Sequence, residues 1–316
     1  MPRVLVSTVL YETGRPWFGA YAEGLRAAAA GSDVTLLLAV DDFVDAAAAA
    51  APLADALAVQ MVDASGGTPT AVRRRMLERV RATEVEAVVF FDMDDVPLAD
   101  AFARHFAALD KAEISYGDMH LIAEDGAVGE RTFFAGAKVP ARLATTAPIT
   151  GRNFLGFTNT ALRRSALTAE ACAVPDGVAA ADWWLYTTLI DGGCRARRTT
   201  APVAAYRTHR GNLLGARPDP SPTALARRCR IARQHYAALP PTPARRRHDD
   251  ALARLEARLA RPDPALARLA ERVCARPGVW FDDITRLAGA LAAAENEIDE
   301  PNESQERPER PACASS

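Results

Sequence analysis

The chain has 316 residues, of which 49% are hydrophobic and 25% are charged, and its formal net charge is -2. A chain of this length and apolar content can bury a substantial core, as one large domain or two smaller ones. The nearly balanced charge argues against a surface built for nucleic acid or for an anionic membrane, so we expect no nucleic-acid partner. The five cysteines show no C-x-x-C spacing, and no apolar run approaches the roughly 18 residues of a membrane span. These features predict a cytoplasmic protein with reduced thiols and no membrane span.

The first part of the chain alternates predicted strands and helices. Strands are predicted at 3–9, 33–40 and 58–63 and from Ala87 onward, and helices at 17–30, 43–57 and 68–82. This alternation predicts a parallel sheet with both faces covered, and the ligands of such sheets collect at the carboxyl ends of the strands. Asp41, Asp42 and Asp92 all lie at that edge.

The remainder of the chain changes pattern twice. Short segments at about 112–157, with a turn at Asp125-Gly126, predict an antiparallel insertion. Further elements are predicted as helices at 159–167 and 178–190, a strand at 204–207, and Ala/Leu/Arg-rich helices at 223–239, 243–260, 264–276 and 280–294. The predicted organisation is a catalytic domain at 1–215, a helical extension at 216–294 and a disordered acidic tail at 295–316.

The apolar strand that begins at Ala87 ends in three carboxylates, Asp92, Asp94 and Asp95. Side chains two residues apart in an extended segment point the same way, so Asp92 and Asp94 can offer oxygens together to Mg²⁺ or Mn²⁺ that also binds a diphosphate. The alternative is a polar strand end in which Asp95 caps the helix that opens near Pro97.

Four segments resemble motifs of one enzyme family. They are residues 4–8 (Val-Leu-Val-Ser-Thr), 40–45 (Val-Asp-Asp-Phe-Val-Asp), 91–95 (Phe-Asp-Met-Asp-Asp) and 181–185 (Ala-Asp-Trp-Trp-Leu). With the order of elements over residues 3–213, they resemble the GT-A glycosyltransferase fold, in particular the inverting family 2 type. The family often has Glu-Asp where this chain has Ala181-Asp182, which leaves one candidate base. The resemblance implies an α/β fold of GT-A type, a Rossmann-like mixed sheet flanked by helices, with a C-terminal helical extension.

The resemblance also implies a reaction, in which a sugar moves from a nucleotide-diphosphate sugar to an acceptor hydroxyl with inversion. Mn²⁺ or Mg²⁺ held by Asp92 and Asp94 would act as the Lewis acid on the departing diphosphate. Asp182 would take the acceptor proton, although it could also be an ordinary acid favoured at a helix N-terminus. Of Trp183 and Trp184, one is expected in the core and the other against a sugar ring or in the acceptor pocket.

Other candidates concern the nucleotide and the metal. Asp41 and Asp42 lie where the family recognises the base and ribose, with helix capping as the alternative. Arg73 either meets the nucleotide or belongs to a solvated basic face. His209 lies where several GT-A enzymes carry a residue that reaches the metal or diphosphate, and it is a candidate third metal ligand. The remaining candidates for nucleotide binding are Thr8 and Tyr11.

Three other functions compete with this interpretation. The Asp92–Asp94 pair also resembles the nucleophile motif of haloacid-dehalogenase-like phosphatases, which need a later lysine, and only Lys111 and Lys138 are present. A sugar nucleotidyltransferase would need a glycine-rich phosphate loop after the first strand, for which residues 11–15 are a poor match. A non-catalytic protein could use the Arg-rich helices at 223–294 as an interface, which would also permit a homo-oligomer. The sugar, the nucleotide and the acceptor stay open.

Overall fold

The computed structural model describes residues 3–209, 211–212 and 219–299, with side chains described as far as residue 294. The strands are β1 (Val4–Tyr11), β2 (Val34–Asp41), β3 (Ala58–Asp63), β4 (Ala87–Phe90), β5 (Val96–Pro97), β6 (Ile114–Tyr116), β7 (Met119–Ile122), β8 (Val128–Thr132), β9 (Arg142–Leu143), β10 (Thr160–Arg163), β11 (Ala196–Arg198) and β12 (Ala204–Arg207). The helices are α1 (Phe18–Ala29), α2 (Ala46–Ala54), α3 (Pro69–Arg81), α4 (Ala101–Leu109), α5 (Ala169–Cys172), α6 (Ala181–Asp191), α7 (Pro222–Ala238), α8 (Pro243–Leu259), α9 (Pro264–Cys274) and α10 (Asp282–Asp299).

Two sheets form within the described residues. The larger one has eight strands in the order β3-β2-β1-β4-β10-β6-β11-β9, and the smaller one has the order β5-β12-β7-β8. The first half of the larger sheet is parallel, because β1 pairs in parallel with both β2 and β4, and β2 with β3. Seven of the eight residues of β1 are buried, as expected for a strand with both faces covered. The predicted mixed α/β architecture is confirmed.

The prediction of a helix at 159–167 is wrong. Residues Thr160–Arg163 form β10, which pairs antiparallel with β4 on one side and β6 on the other, and only a 3₁₀ turn (Arg164–Ala166) follows. Ala, Leu and Arg favour helices, but the place between two strands of the sheet determines the conformation here. The antiparallel insertion predicted at 112–157 corresponds to β6, β7, β8 and β9.

The four C-terminal helices pack against the rest of the chain. The ring of Trp183 on α6 lies between His235 on α7 and Phe281, at centroid distances of 4.1 and 4.6 Å. The hydroxyl of Tyr236 donates to the carbonyl oxygen of Thr150 at 2.5 Å. Buried apolar side chains of both regions form one continuous cluster. The extension is therefore close enough to contribute residues to a site in the core, and the domain boundary at 215 stays a prediction.

The end of the last helix differs from the prediction. Helix α10 runs to Asp299, past the predicted start of the tail at 295. Residues 300–316 lie outside the described residues, so the disordered tail stays a prediction for them. Among the described helices, none combines the length and the apolar character that crossing a membrane requires.

Candidate functional site

A cavity of about 690 Å³ lies where β1, β2 and β4 end. Most of the predicted site residues line it, and they come from separate parts of the chain: Tyr11, Asp41, Arg73, Asp92, Asp94, Asp182 and His209. The sheet brings them together because the carboxyl ends of parallel strands meet at one edge. Tyr11 and Asp41 are direct register partners on neighbouring strands.

Arg73 on α3 forms an ion pair with Asp92. Its Nη2 lies 2.6 Å from Asp92 Oδ1, and its guanidinium lies over the ring of Phe157 at 4.9 Å. Burial raises the pKa of Asp92, and the neighbouring guanidinium opposes that rise. Arg73 therefore points into the cavity and does not belong to a solvated face, and it supplies a fixed positive charge of the kind that binds phosphate.

Asp94 and His209 form a second pair, with His209 Nε2 2.9 Å from Asp94 Oδ2. The imidazole also contacts the ring of Trp17 in a tilted arrangement, with 4.2 Å between the ring centroids. In the part of the chain that the structure describes, no group of three or more His, Cys, Asp or Glu side chains is arranged to hold a metal ion. The predicted ligand set is thus divided, because Asp92 is engaged with Arg73 while Asp94 and His209 stay together.

The Asp94–His209 pair nevertheless fits a divalent cation. Mn²⁺ and Mg²⁺ both accept a carboxylate oxygen, and Mn²⁺, a transition metal, also accepts an imidazole nitrogen. The two atoms are 2.9 Å apart and are hydrogen-bonded to each other. Such ions commonly take one or two protein ligands and complete their shell with substrate phosphates and water.

Asp95 has a structural role. The backbone N–H of Arg207 donates to its Oδ1 at 2.7 Å, and the hydroxyl of Thr158 contacts its Oδ2. Burial raises the pKa of Asp95 well above its ordinary value, and the nearby Asp94 adds to this. The alternative role as a helix cap is wrong, because α4 begins at Ala101 with Asp100 as its N-cap residue. Asp95 joins the end of β4 to β12 and so positions Asp94.

Asp182 lies in the first turn of α6, half-buried in the cavity wall. Burial raises its pKa to about 7, although the backbone N–H of Trp183, 2.7 Å from Oδ1, lowers it. The charge of Asp92 raises this pKa further, and that of Arg73 lowers it. A carboxylate whose pKa lies near neutrality is suited to take a proton from a hydroxyl at physiological pH.

Tyr11 and Asp41 line the cavity at the ends of β1 and β2. Burial raises the pKa of the Tyr11 hydroxyl, and the negative charge of Asp94 raises it further. This hydroxyl therefore stays protonated and can donate to Asp94 or to a ligand. Burial also raises the pKa of Asp41, with a contribution from Asp42.

Four predicted site residues lie outside the cavity wall, which corrects the predictions for Thr8, Asp42, Trp183 and Trp184. The hydroxyl of Thr8 is buried and bonds with the Tyr21 hydroxyl at 2.5 Å and the Phe91 carbonyl at 2.9 Å. Asp42 is exposed in the left-handed region at φ 49°, and its N–H donates to Ser65 Oγ.

Helix α6 carries both tryptophans. Successive residues of a helix point about 100° apart, so the residues on either side of Asp182 face different directions, and of these Ala181 lines the cavity whereas Trp183 does not. Trp183 is fully buried, and its Nε1–H donates to the carbonyl of Ile149 at 2.8 Å. Trp184 is also buried, at 7% exposure, and does not line the cavity. Both are core residues.

Several cavity residues were not predicted from the sequence: Thr13, Trp17, Glu124, Thr158, Tyr206 and Trp280. Thr158 ends a segment with two glycines, Gly151 and Gly156. These glycines are the sequence feature that could indicate a ligand near this segment. Trp280 comes from the C-terminal region and has no sequence motif around it.

No protein-family model matches the chain, and no curated protein matches it. Solved structures do match. Residues 1–349 of TarS from S. aureus superpose with a TM-score of 0.54 over 92% of each chain at 13% identity, and the complex of this fragment with UDP-GlcNAc gives 0.53. The mannosyltransferase PcManGT from Pyrobaculum calidifontis, in complex with GDP-Man and Mn²⁺, gives 0.53 over 95% of this chain and 88% of that chain at 16% identity. At such identities the likeness concerns the fold, and this chain has the GT-A-type fold of glycosyltransferases.

Proposed function

We propose that the protein is a glycosyltransferase that moves a sugar from a nucleotide-diphosphate sugar to an acceptor hydroxyl with inversion. The observation that carries the proposal is the gathering of three functional groups around one cavity. These are the Arg73–Asp92 ion pair, the Asp94–His209 pair and Asp182, whose pKa is about 7. Each group matches one requirement of the reaction.

The donor side of the cavity is formed by Tyr11, Asp41 and Arg73. The carboxylate of Asp41 can accept hydrogen bonds from a ribose or a base, and the guanidinium of Arg73 can bind a phosphate oxygen. Similar folds support a donor of this class, since one neighbour is a complex with UDP-GlcNAc and another a complex with GDP-Man. Which nucleotide and which sugar this chain binds is left to experiment.

Asp94 and His209 would hold Mn²⁺ or Mg²⁺, and the Mn²⁺ in PcManGT supports the use of a divalent ion. When bound, such an ion supplies a Lewis acid that stabilises charge on the departing diphosphate. Arg73 adds a second positive charge from the chain itself. Asp95 and Arg207 maintain the position of Asp94, because Arg207 Nε donates to the Asp94 carbonyl oxygen at 2.9 Å.

Asp182 is the proposed general base. It would accept the proton of the acceptor hydroxyl as that oxygen attacks the anomeric carbon and the bond to the diphosphate breaks. A single displacement of this kind inverts the anomeric centre. The half-buried carboxylate keeps a raised pKa, so it is strong enough to take the proton and is still substantially ionised near pH 7.

The rival functions lack matching residues in the cavity. None of the cavity-lining residues within the described chain is a lysine, which a haloacid-dehalogenase-like phosphatase would need. After β1 the chain forms a 3₁₀ helix (Glu12–Trp17) in which Arg15 pairs with Glu12 at 2.6 Å. That arrangement does not provide the phosphate loop of a nucleotidyltransferase.

A screen of donors tests the proposal. The protein is incubated with Mn²⁺ and UDP-, GDP- or dTDP-sugars, and release of the nucleoside diphosphate to water is measured. We expect release from at least one donor, loss of release in Asp182→Asn, and normal release in Asp100→Asn, an exposed carboxylate outside the cavity. If no donor binds or is cleaved, while phosphomonoesters are hydrolysed, the glycosyltransferase assignment is refuted.

A further inference from the structure

Among the described residues after 218, Trp280 alone lines the cavity. It lies in the segment between α9 and α10, far in sequence from the strands that carry the other site residues. The C-terminal helices therefore do more than cover the core, since their packing inserts an indole into the wall of the site.

The backbone around Trp280 is arranged so that two neighbouring rings point in different directions. Phe281 has φ 69°, in the left-handed region that non-glycine residues seldom adopt, and its ring packs on Trp183 in the core. Trp280 faces the cavity, and its carbonyl accepts the N–H of the buried Asn153 at 2.9 Å in an isolated β-bridge. A strained residue held by its surroundings is typical of functional sites.

The indole is held from three sides. Its ring lies 4.5 Å from that of Phe133 and meets the ring of Tyr206 edge-on at 5.8 Å. A Cβ added at Gly156 would lie 2.6 Å from the Trp280 ring. The close approach of the ring to the backbone thus needs glycine at 156, and the ring has little freedom to move.

These contacts place Trp280 beside β12 and beside the segment that precedes β10, and β10 lies across β4 from β1 and β2. Tyr206 belongs to β12 and Gly156 precedes β10, whereas Tyr11 and Asp41 end β1 and β2. Glu124 also lines the cavity, and its carbonyl accepts Arg207 Nη1 of β12 at 2.9 Å. An aromatic surface and the acidic residue Glu124 therefore line the cavity together.

We propose that Trp280, Tyr206 and Glu124 form the acceptor subsite and that the acceptor presents a pyranose ring. One face of a pyranose is apolar and packs on an aromatic ring, while its hydroxyl groups donate to carboxylates. This inference rests on the proposed function and adds the acceptor class to it. Trp280 is a positioning residue, and Asp182 remains the base.

The test is ligand-observed NMR on the full chain. The nucleoside diphosphate that binds is first identified by calorimetry with Mg²⁺, and its complex is then titrated with methyl pyranosides and with sorbitol, an acyclic polyol. We expect pyranosides to bind more tightly than sorbitol, and Trp280→Ala to weaken them about tenfold while the affinity for the diphosphate changes less than twofold. Trp184→Phe, which alters a buried tryptophan outside the cavity, should leave both affinities unchanged.

A second pair of variants protects the test against misfolding. Gly156→Ala should displace the indole and weaken pyranosides in the same way, whereas Gly289→Ala, where an added Cβ meets nothing within 4 Å, should not. The inference is overturned if the diphosphate binds but no pyranoside does, if sorbitol binds equally well, or if Trp280→Ala keeps full pyranoside affinity. If no diphosphate binds, the proposed function itself fails, and the acceptor subsite fails with it.

Discussion

Changing Asp182 to Asn should remove both the activity and its dependence on pH. The raised pKa of about 7 comes first from burial in the cavity wall. The protonated form is inactive as a base, so activity should rise with pH as the proton leaves. Asn has nearly the same size and keeps the wall intact, so nucleotide affinity should change little.

The size of the pH dependence follows from the pKa of Asp182. With a pKa of about 7, about 1% of the carboxyl groups are ionised at pH 5 and about 90% at pH 8, so kcat/KM should rise about ninetyfold over this range. With an ordinary pKa of 3.8, the group would already be about 94% ionised at pH 5, and the profile would be nearly flat. Loss of the positioned base should lower the rate by about 10² to 10⁴.

The assay is release of nucleoside diphosphate to water, followed from pH 5 to 8 with Mn²⁺ and each donor that the protein cleaves. The residual activity of Asp182→Asn should show no rising limb. In Arg73→Met the rise of activity with pH should shift to higher pH, because the guanidinium of the wild type lowers the pKa of Asp182. A rising limb that persists in Asp182→Asn would assign it to another group, such as His209, and would refute the role of Asp182 as base.

Two predictions concern stability, each measured by urea unfolding. Asp283→Asn should lower the free energy of unfolding by about 3 to 5 kcal/mol, because it leaves Arg228, 2.7 Å away and buried with it, without its opposite charge. Asp100→Asn, which removes the exposed partner of Arg104, should lower it by less than about 1 kcal/mol. Trp183→Ala should cost about 3 to 5 kcal/mol, because its ring is fully buried in the core. A loss of diphosphate affinity in folded Trp183→Ala without a loss of stability would contradict the core assignment.

The sequence predicted the site best where local rules apply. Asp41, Asp92 and Asp94 follow apolar strands, and the ends of parallel strands must meet at one edge, so their presence in one cavity could be foreseen. The separation of the predicted metal ligands into two pairs could not be foreseen. The pairing of Arg73 with Asp92 depends on the distance between α3 and β4, which no sequence spacing determines.

Other parts of the site depend on packing between distant segments. The segment Thr160–Arg163 became a strand because it fills the space between β4 and β6, against the helical preference of its residues. Trp280 enters the cavity through the packing of the C-terminal helices on α6, and nothing near it in the sequence indicates that contact. Helix geometry alone does not exclude Trp183 from the cavity, because Ala181, the other neighbour of Asp182, lines it.

We propose that this cavity binds a nucleoside diphosphate through a divalent cation held by Asp94 and His209. Calorimetric titration of UDP and GDP, in Mn²⁺ and in excess EDTA, tests it most directly, with Asp94→Asn compared with Asp100→Asn. We expect one nucleotide to bind in Mn²⁺ and EDTA or Asp94→Asn to lower its affinity at least about tenfold, since the cation links the carboxylate to the phosphates. Asp100→Asn should bind like the wild type. Equal affinity in Mn²⁺ and EDTA, or no binding of either nucleotide, would contradict the account.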